Sequence, residues 1–269
     1  MIFNFLNLMF QIQVKEGVGP VFFVLVLFVA ALFFFLDKAR KGATFKIRKI
    51  AGLDAVNEAI GRATEMGKSI LYTTGLETAS HIATIASLTI LSRVAKRAAR
   101  YGTRLQVPSF DPIVMSLSQE IVRESYLEEG MIDSFAGDDI FYLTQEQFAY
   151  TAAVEGVLVR EKPATVFLMG YFYAESLLLA ETGNSIGAIQ IAGTDAVTQL
   201  PFFIVSCDYT LIGEELYAAS AYLSEDSNII SSLKAQDFGK AILWIFLLLG
   251  SIATFAGSTK FLSLLGASV

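Results

Sequence analysis

The chain has 269 residues, of which 54% are hydrophobic and 17% charged, with a formal net charge of −6 and a mean hydropathy of +0.55. That is too apolar for an ordinary soluble domain and too charged for a polytopic membrane protein, so one soluble domain with a few membrane spans fits best. One Cys and one His exclude an internal disulfide framework and a multi-histidine metal site, and no cofactor is expected.

The opening "MIFNFLNLMFQIQV" is rich in Phe and Leu. Residues 1–16 read as an interfacial or protein-packed segment outside the membrane. "GVGPVFFVLVLFVAALFFFL", residues 17–36, carries no charge and matches the roughly 20 residues that cross a hydrocarbon core. A cleaved signal peptide would place its basic residues before the apolar run. Here they follow, at Lys38, Arg40, Lys41, Lys46, Arg48 and Lys49, which is a stop-transfer pattern. The positive-inside rule makes this linker, residues 37–52, cytoplasmic. The same six residues are candidates for contact with anionic lipid headgroups, at about 1 kcal/mol each near the surface; orientation alone explains them equally well.

Residues 53–224 read as a cytoplasmic domain. From Ala51 to Lys240 there are 12 Lys and Arg against 24 Asp and Glu, a net of −12, and an acidic domain repels nucleic acid. "LDAVNEAIGRATEM" has helical spacing, with Leu53, Val56, Ala59, Ile60 and Ala63 on one side. Gly67-Lys68-Ser69 then looks like the tail of a phosphate-binding loop. A phosphate loop runs strand, glycine-rich turn, helix, so that helix N-terminal amides meet the phosphate. Here the order is helix, turn, strand, and the required earlier glycine is Arg62. Gly67 reads as a helix stop.

After the strand "SILYTT" the pattern repeats. Helices are expected over 77–100, 111–129, 145–160 and in "AESLLLAET", ending at Gly183. Strands are expected at "RLQVPS", "DIFYLT", "ATVFLMG" and "AIQIAG". "PFFIVSCDY" reads as a sixth strand or the start of a helix, and "GEELYAASAYLS" as a last amphipathic helix. Strand and helix alternating five or six times implies a mostly parallel, doubly wound, Rossmann-like sheet of the α/β class. Residues 225–240 read as a linker, and "AILWIFLLLGSIATFAGS", residues 241–258, as a second transmembrane helix with small residues suited to helix packing. Residues 259–269 are then an extracytoplasmic tail. The protein is expected in the inner (plasma) membrane, two-pass, with both termini outside.

In open parallel sheets ligands bind beyond the carboxyl ends of the strands. Thr73, Thr74 and Gly75 end the first strand, with His81 beyond. Asp111 follows the second. Gly193, Thr194 and Asp195 end the fifth, and Asp208 ends the last apolar run. With Glu77 and Glu175, five carboxylates converge on one rim, and Thr-Thr-Gly and Gly-Thr-Asp loops offer hydroxyls and amides to an anion. A plainer reading treats Thr74, Ser109, Asp111, Thr144 and Asp195 as helix N-caps, each contributing ~1 kcal/mol, His81 as a satisfied structural histidine, and Cys207 as a small core residue. No Gly-x-Gly-x-x-Gly, Gly-x-Ser-x-Gly or Cys-x-x-Cys occurs at the sites where a dinucleotide, hydrolase or redox reading needs it.

With "GLDAVNEAIGRATEMGKSILYTTG" and "GTDAVTQLPFF" between two apolar segments, the stretch from about Ile50 to Leu249 resembles an uncharacterised family of prokaryotic membrane proteins. The resemblance implies an N-terminal anchor, a cytoplasmic α/β domain and a C-terminal span, and it transfers no activity and no site residues. Two functions are open. One is a non-enzymatic membrane-anchored scaffold or accessory subunit, in a homo-oligomer or a larger membrane complex and in contact with lipids. The other is a small-molecule- or nucleotide-binding or hydrolytic enzyme using the rim residues.

Overall fold

The computed structural model describes residues 19–41, 51–224 and 227–256. They form two compact units, a pair of apolar helices and an α/β domain. The pair consists of α1 (Gly19–Arg40) and α9 (Ser227–Phe255). The two pack closely at Gly239, where an added Cβ would lie 2.9 Å from the Phe28 ring. Phe35 and Phe238 meet edge to face, 6.1 Å apart. Large apolar side chains such as Phe33, Phe34, Trp244 and Leu247 face outward on both helices. Among the described residues one helix, Asn228–Phe255, is long and apolar enough to cross a membrane. Two spans were expected from the sequence. The first expected window begins at residues 17 and 18, outside the described residues, and α1 ends in the charged run Asp37–Arg40. The polar stretch before the C-terminal apolar run is helical from Ser227 and continuous with it.

The domain contains α2 (Ala51–Glu65), β1 (Ile70–Gly75), α3 (Ile82–Tyr101), β2 (Leu105–Ser109), α4 (Pro112–Glu128), β3 (Ile140–Tyr142), α5 (Gln147–Glu161), β4 (Thr165–Tyr171), α6 (Ser176–Ser185), β5 (Ile189–Thr194), α7 (Leu200–Ser206), β6 (Tyr209–Ile212) and α8 (Glu214–Ser224). The six strands pair in the order β3-β2-β1-β4-β5-β6, all parallel. This is the doubly wound α/β arrangement, with the strand order reversing between β1 and β4.

The central strands are buried on both faces, which is why β1 and β4 are buried along their length rather than alternating between buried and exposed. Period two still sorts their side chains. Ile70, Tyr72, Phe167 and Met169 face the core under α2, α3, α4 and α8. Leu71, Val166 and Leu168 face the core under α5, α6 and α7. Each large apolar side chain so buried contributes about 1.5–3 kcal/mol. The helical face read from the sequence in α2 is buried at Val56, Ala59, Ile60 and Ala63, and the Thr165 hydroxyl donates to the Ala59 carbonyl at 2.8 Å, tying α2 to β4.

Gly67 has φ +62 and stops α2 ahead of β1, so Gly67-Lys68-Ser69 is a helix end and no phosphate cradle forms there. Two expectations need correction. Gly183 does not end its helix: α6 continues to Ser185 and turns at Gly187. A Cβ at Gly183 would lie 2.3 Å from the Gln190 side chain, so the glycine serves close packing. "PFFIVSCDY" is neither one strand nor one helix. It is α7, then Cys207 and Asp208, then the start of β6, because Pro201 suits a first helical turn.

Candidate functional site

The reversal of strand order makes the carboxyl ends of β1 and β4 the expected mouth of a ligand crevice. Here the two backbones stay together to the end. The ladder shifts register between Thr73 and Gly75, pairs Gly75 with Tyr171, and extends to a bond from the Leu76 amide to the Tyr171 carbonyl at 2.9 Å. Two glycines permit this approach. Gly75 (φ +80) and Gly170 (φ +130) would place a Cβ 2.5 Å from the Tyr171 carbonyl oxygen and 2.2 Å from the Thr74 carbonyl oxygen, respectively. The two strand ends therefore stay hydrogen-bonded as far as Leu76.

The loops beyond the strands are laced to one another. The Tyr173 hydroxyl donates to Glu77, and that bond to a carboxylate pushes the Tyr173 phenol up to about 12. The ring of His81 packs on Tyr171 at 4.9 Å, and Tyr171 on Tyr173 at 5.1 Å. Glu175, fully buried, accepts from the Gln147 amide at 2.5 Å and from its neighbour's backbone, Tyr173 N–H, at 2.8 Å. Gln145 donates to Asp111 at 3.1 Å, and Ser176 to Gln199 at 2.9 Å. Tyr217 donates to Asp195; burial first, and then this bond, raise the Tyr217 phenol above its ordinary value.

Most of the residues read from the sequence hold the rim together. His81 caps α3 by accepting from the Ala83 amide at 3.3 Å. Asp111 caps α4, accepting from Ile113 and Val114 at 2.9 Å each. The Thr194 hydroxyl accepts from the Ala196 amide at 3.1 Å, a local turn, and Thr73 donates weakly to Phe167. Gly193 lies in β5, where a Cβ would come within 2.9 Å of the Met169 sulfur. Asp195 is not a cap; it holds Tyr217. Asp208 is not on this rim at all. It precedes β6, at the amino edge, where it accepts from the Gln190 amide at 2.8 Å beside a cavity of about 160 Å³ lined by Glu58 and Arg62. The five-carboxylate convergence is therefore four. Its misplacement follows from reading Asp208 as a strand end when it is a strand start.

Thr74 Oγ1, Ser109 Oγ and Asp195 Oδ1 are buried without a hydrogen-bond partner, so Thr74 and Ser109 are not caps. The sequence reading missed Gln145, Gln147, Tyr173 and Tyr217; their bonds join positions far apart in the chain, and no local pattern marks them. Among the described residues no group of three or more His, Cys, Asp or Glu side chains could hold a metal ion. Cys207 is half-buried, and burial, then the Asp208 charge, push its thiol up to about 12. Of the basic collar, Lys41 pairs with Asp37 at 2.5 Å, Lys38 lies 5.3 Å over the Phe34 ring, and Arg40 is exposed. Lys46, Arg48 and Lys49 lie outside the described residues.

A family model described as a domain of unknown function, DUF6754, matches residues 12–265. The chain belongs to this family. The match includes both apolar helices and the whole α/β domain, so the DUF6754 unit takes in the helix pair as well as the sheet. No curated protein and no solved structure matches the chain.

Proposed function

We propose that this protein is a membrane-anchored, non-enzymatic interaction subunit. Two apolar helices hold its α/β domain at the cytoplasmic face of the inner membrane. The domain joins copies of itself or other membrane subunits into a complex. α9, at 29 residues, is about 43 Å long, longer than a hydrocarbon core of roughly 30 Å, so its polar first half extends beyond the lipid. Lys38, Arg40 and Lys41 at the end of α1 suit the anionic headgroup region.

The observation that carries the reading is the bonding of the carboxyl rim to itself. β1 and β4 stay paired as far as Leu76, and Glu77, Asp111, Glu175 and Asp195 each accept from a side chain of another loop or helix. A laced, rigid rim suits a docking platform better than a site that must admit and release a substrate. Blue-native electrophoresis in mild detergent tests this: the expected outcome is a species larger than the monomer, and a strict monomer at all concentrations overturns it.

A ligand-binding or hydrolytic reading is favoured by one observation, the unpartnered Thr74, Ser109 and Asp195 atoms at three strand ends. Thermal-shift screening against nucleotides and small anions separates the two. A ligand at a hundred times its Kd adds about 2.7 kcal/mol of stability; no shift with any of them removes the enzyme reading.

A further inference from the structure

In a parallel α/β domain every helix that follows a strand starts at the carboxyl edge. The first turns of such helices are ordinarily polar, because Ser, Thr, Asp and Glu serve the unsatisfied amides there. α8 follows this pattern, opening on Glu214 and Glu215, but four of the other starts carry an exposed apolar side chain. Ile82 opens α3 at 67% exposure, and Ile113 and Phe148, second residues of α4 and α5, are exposed at 64% and 60%. Leu178 in the first turn of α6 is 44% exposed, and Val197, in the loop after β5, 77%. Ile85, one turn into α3, adds another at 51%. Taking roughly 200 Å² per large side chain, these six leave on the order of 700 Å² of apolar surface along one edge. Summed over helix starts on both faces of the sheet, that approaches the ~800 Å² each partner contributes to a standard interface.

The same edge has a one-sided charge. The segments 75–82, 109–113, 142–147, 171–176, 194–200 and 212–215 contain no Lys or Arg; among their acids Glu146 is exposed, Glu77, Asp195 and Glu215 are partly exposed, and Asp111 and Glu175 are buried. Rim-to-rim pairing of two copies would set these acids against each other. An anionic lipid surface or a phosphate ligand would be repelled as well.

We propose that the carboxyl rim docks a basic amphipathic protein segment, whose apolar side chains cover Ile82, Ile113, Phe148 and Val197 while its Lys and Arg residues meet the accessible carboxylates, Glu146, Glu77 and Glu215. This rests on the reading of the domain as an interaction platform and names the chemistry of its partner. Charge complementarity supplies the attraction and the register, and burial of the apolar edge supplies most of the affinity.

The test uses the full chain in neutral phosphatidylcholine nanodiscs, with empty nanodiscs as the blank. The probes are two fluorescent helical peptides of one apolar pattern, one built from Leu and Lys and one from Leu and Glu, read by anisotropy. The Leu-Lys peptide is expected to bind above the blank, the Leu-Glu peptide not to, and added salt to weaken binding. A triple variant at exposed positions, Ile113→Ser, Phe148→Ser and Val197→Ser, is expected to lose at least about tenfold in affinity, and Glu146→Gln to lose less. No binding of the Leu-Lys peptide, equal binding of the Leu-Glu peptide, or unchanged affinity in the triple variant overturns the proposal. The blue-native result is a separate readout. A complex that persists without peptide binding leaves the subunit reading standing and removes this partner chemistry.

Discussion

The two edges of the sheet solve the same electrostatic problem in different ways. All helices that follow strands run the same way, so their positive ends gather at the carboxyl rim and their negative ends at the amino edge. At the amino edge the chain supplies bases and pairs them. Lys96 meets Glu128, Arg100 grips Glu129 with two bonds of 3.0 and 2.9 Å, and Arg104 reaches both Asp139 and Glu161. At the carboxyl rim it supplies acids and no bases, and satisfies them with Tyr hydroxyls, Gln amides and backbone amides. One edge is internally neutral and finished; the other is acidic, apolar at its helix starts and held rigid. On the reading proposed above, the acidic, apolar edge is the one that meets a partner.

The comparison breaks most severely at the strand ends. Gly170→Val would drive a Cβ into the Thr74 carbonyl at a φ that Val does not adopt; a loss of more than about 3 kcal/mol is expected, read as a lower urea midpoint or failure to accumulate. Glu175→Ala leaves the Gln147 amide and a buried backbone amide unpaired. About 2 kcal/mol should be lost, whereas Glu175→Gln should recover part of it; equal loss in both would show that packing rather than bonding matters there. Asp111→Ala removes two capping bonds and should cost about 1 kcal/mol, with Asp111→Ser restoring most of the loss. Arg104→Ala tests the other edge. The guanidinium is half-exposed, although the Asp139 hydrogen bond raises its pKa above the ordinary value, so about 1 kcal/mol or less is expected, diminishing with salt.

The smallest expected effect is a pH dependence. The Tyr173 phenol titrates at about 12 in the fold and near 10 when unfolded. A raised folded value means that its contribution is fully present below about pH 10 and is lost as the pH climbs towards 12. The difference in ultraviolet tyrosine titration between the native chain and Tyr173→Phe should fall in that window; a difference centred near 10 would mean that the Glu77 bond does not hold.

Much of the fold could be read from the sequence because its signals are local. The apolar run at β4, the glycine after α2 and the Asp-Pro pair at the start of α4 each act within a few residues. α7 and the start of β6 share one short apolar run, which with Pro201 near its start fits a strand or a helix by periodicity alone. The choice is made by packing: Phe203 is buried under β5 among Phe172 and its neighbours. The site was less legible for the same physical reason. The capping bonds of His81 and Asp111 were legible because caps are local. Glu77 with Tyr173 spans 96 residues, and Gln147 with Glu175 spans 28; such pairs exist only once the sheet order has brought their loops together.

The single cysteine, at the α/β domain's amino edge, has a practical corollary. With Cys207 half-covered and its thiol pushed up to about 12 by burial, slow alkylation at ordinary pH is the expected outcome. The native chain is therefore already a usable background for site-directed labelling. A single cysteine introduced at an exposed position can carry a spin label or fluorophore without first removing the natural one, which puts distance measurements on this family within direct reach.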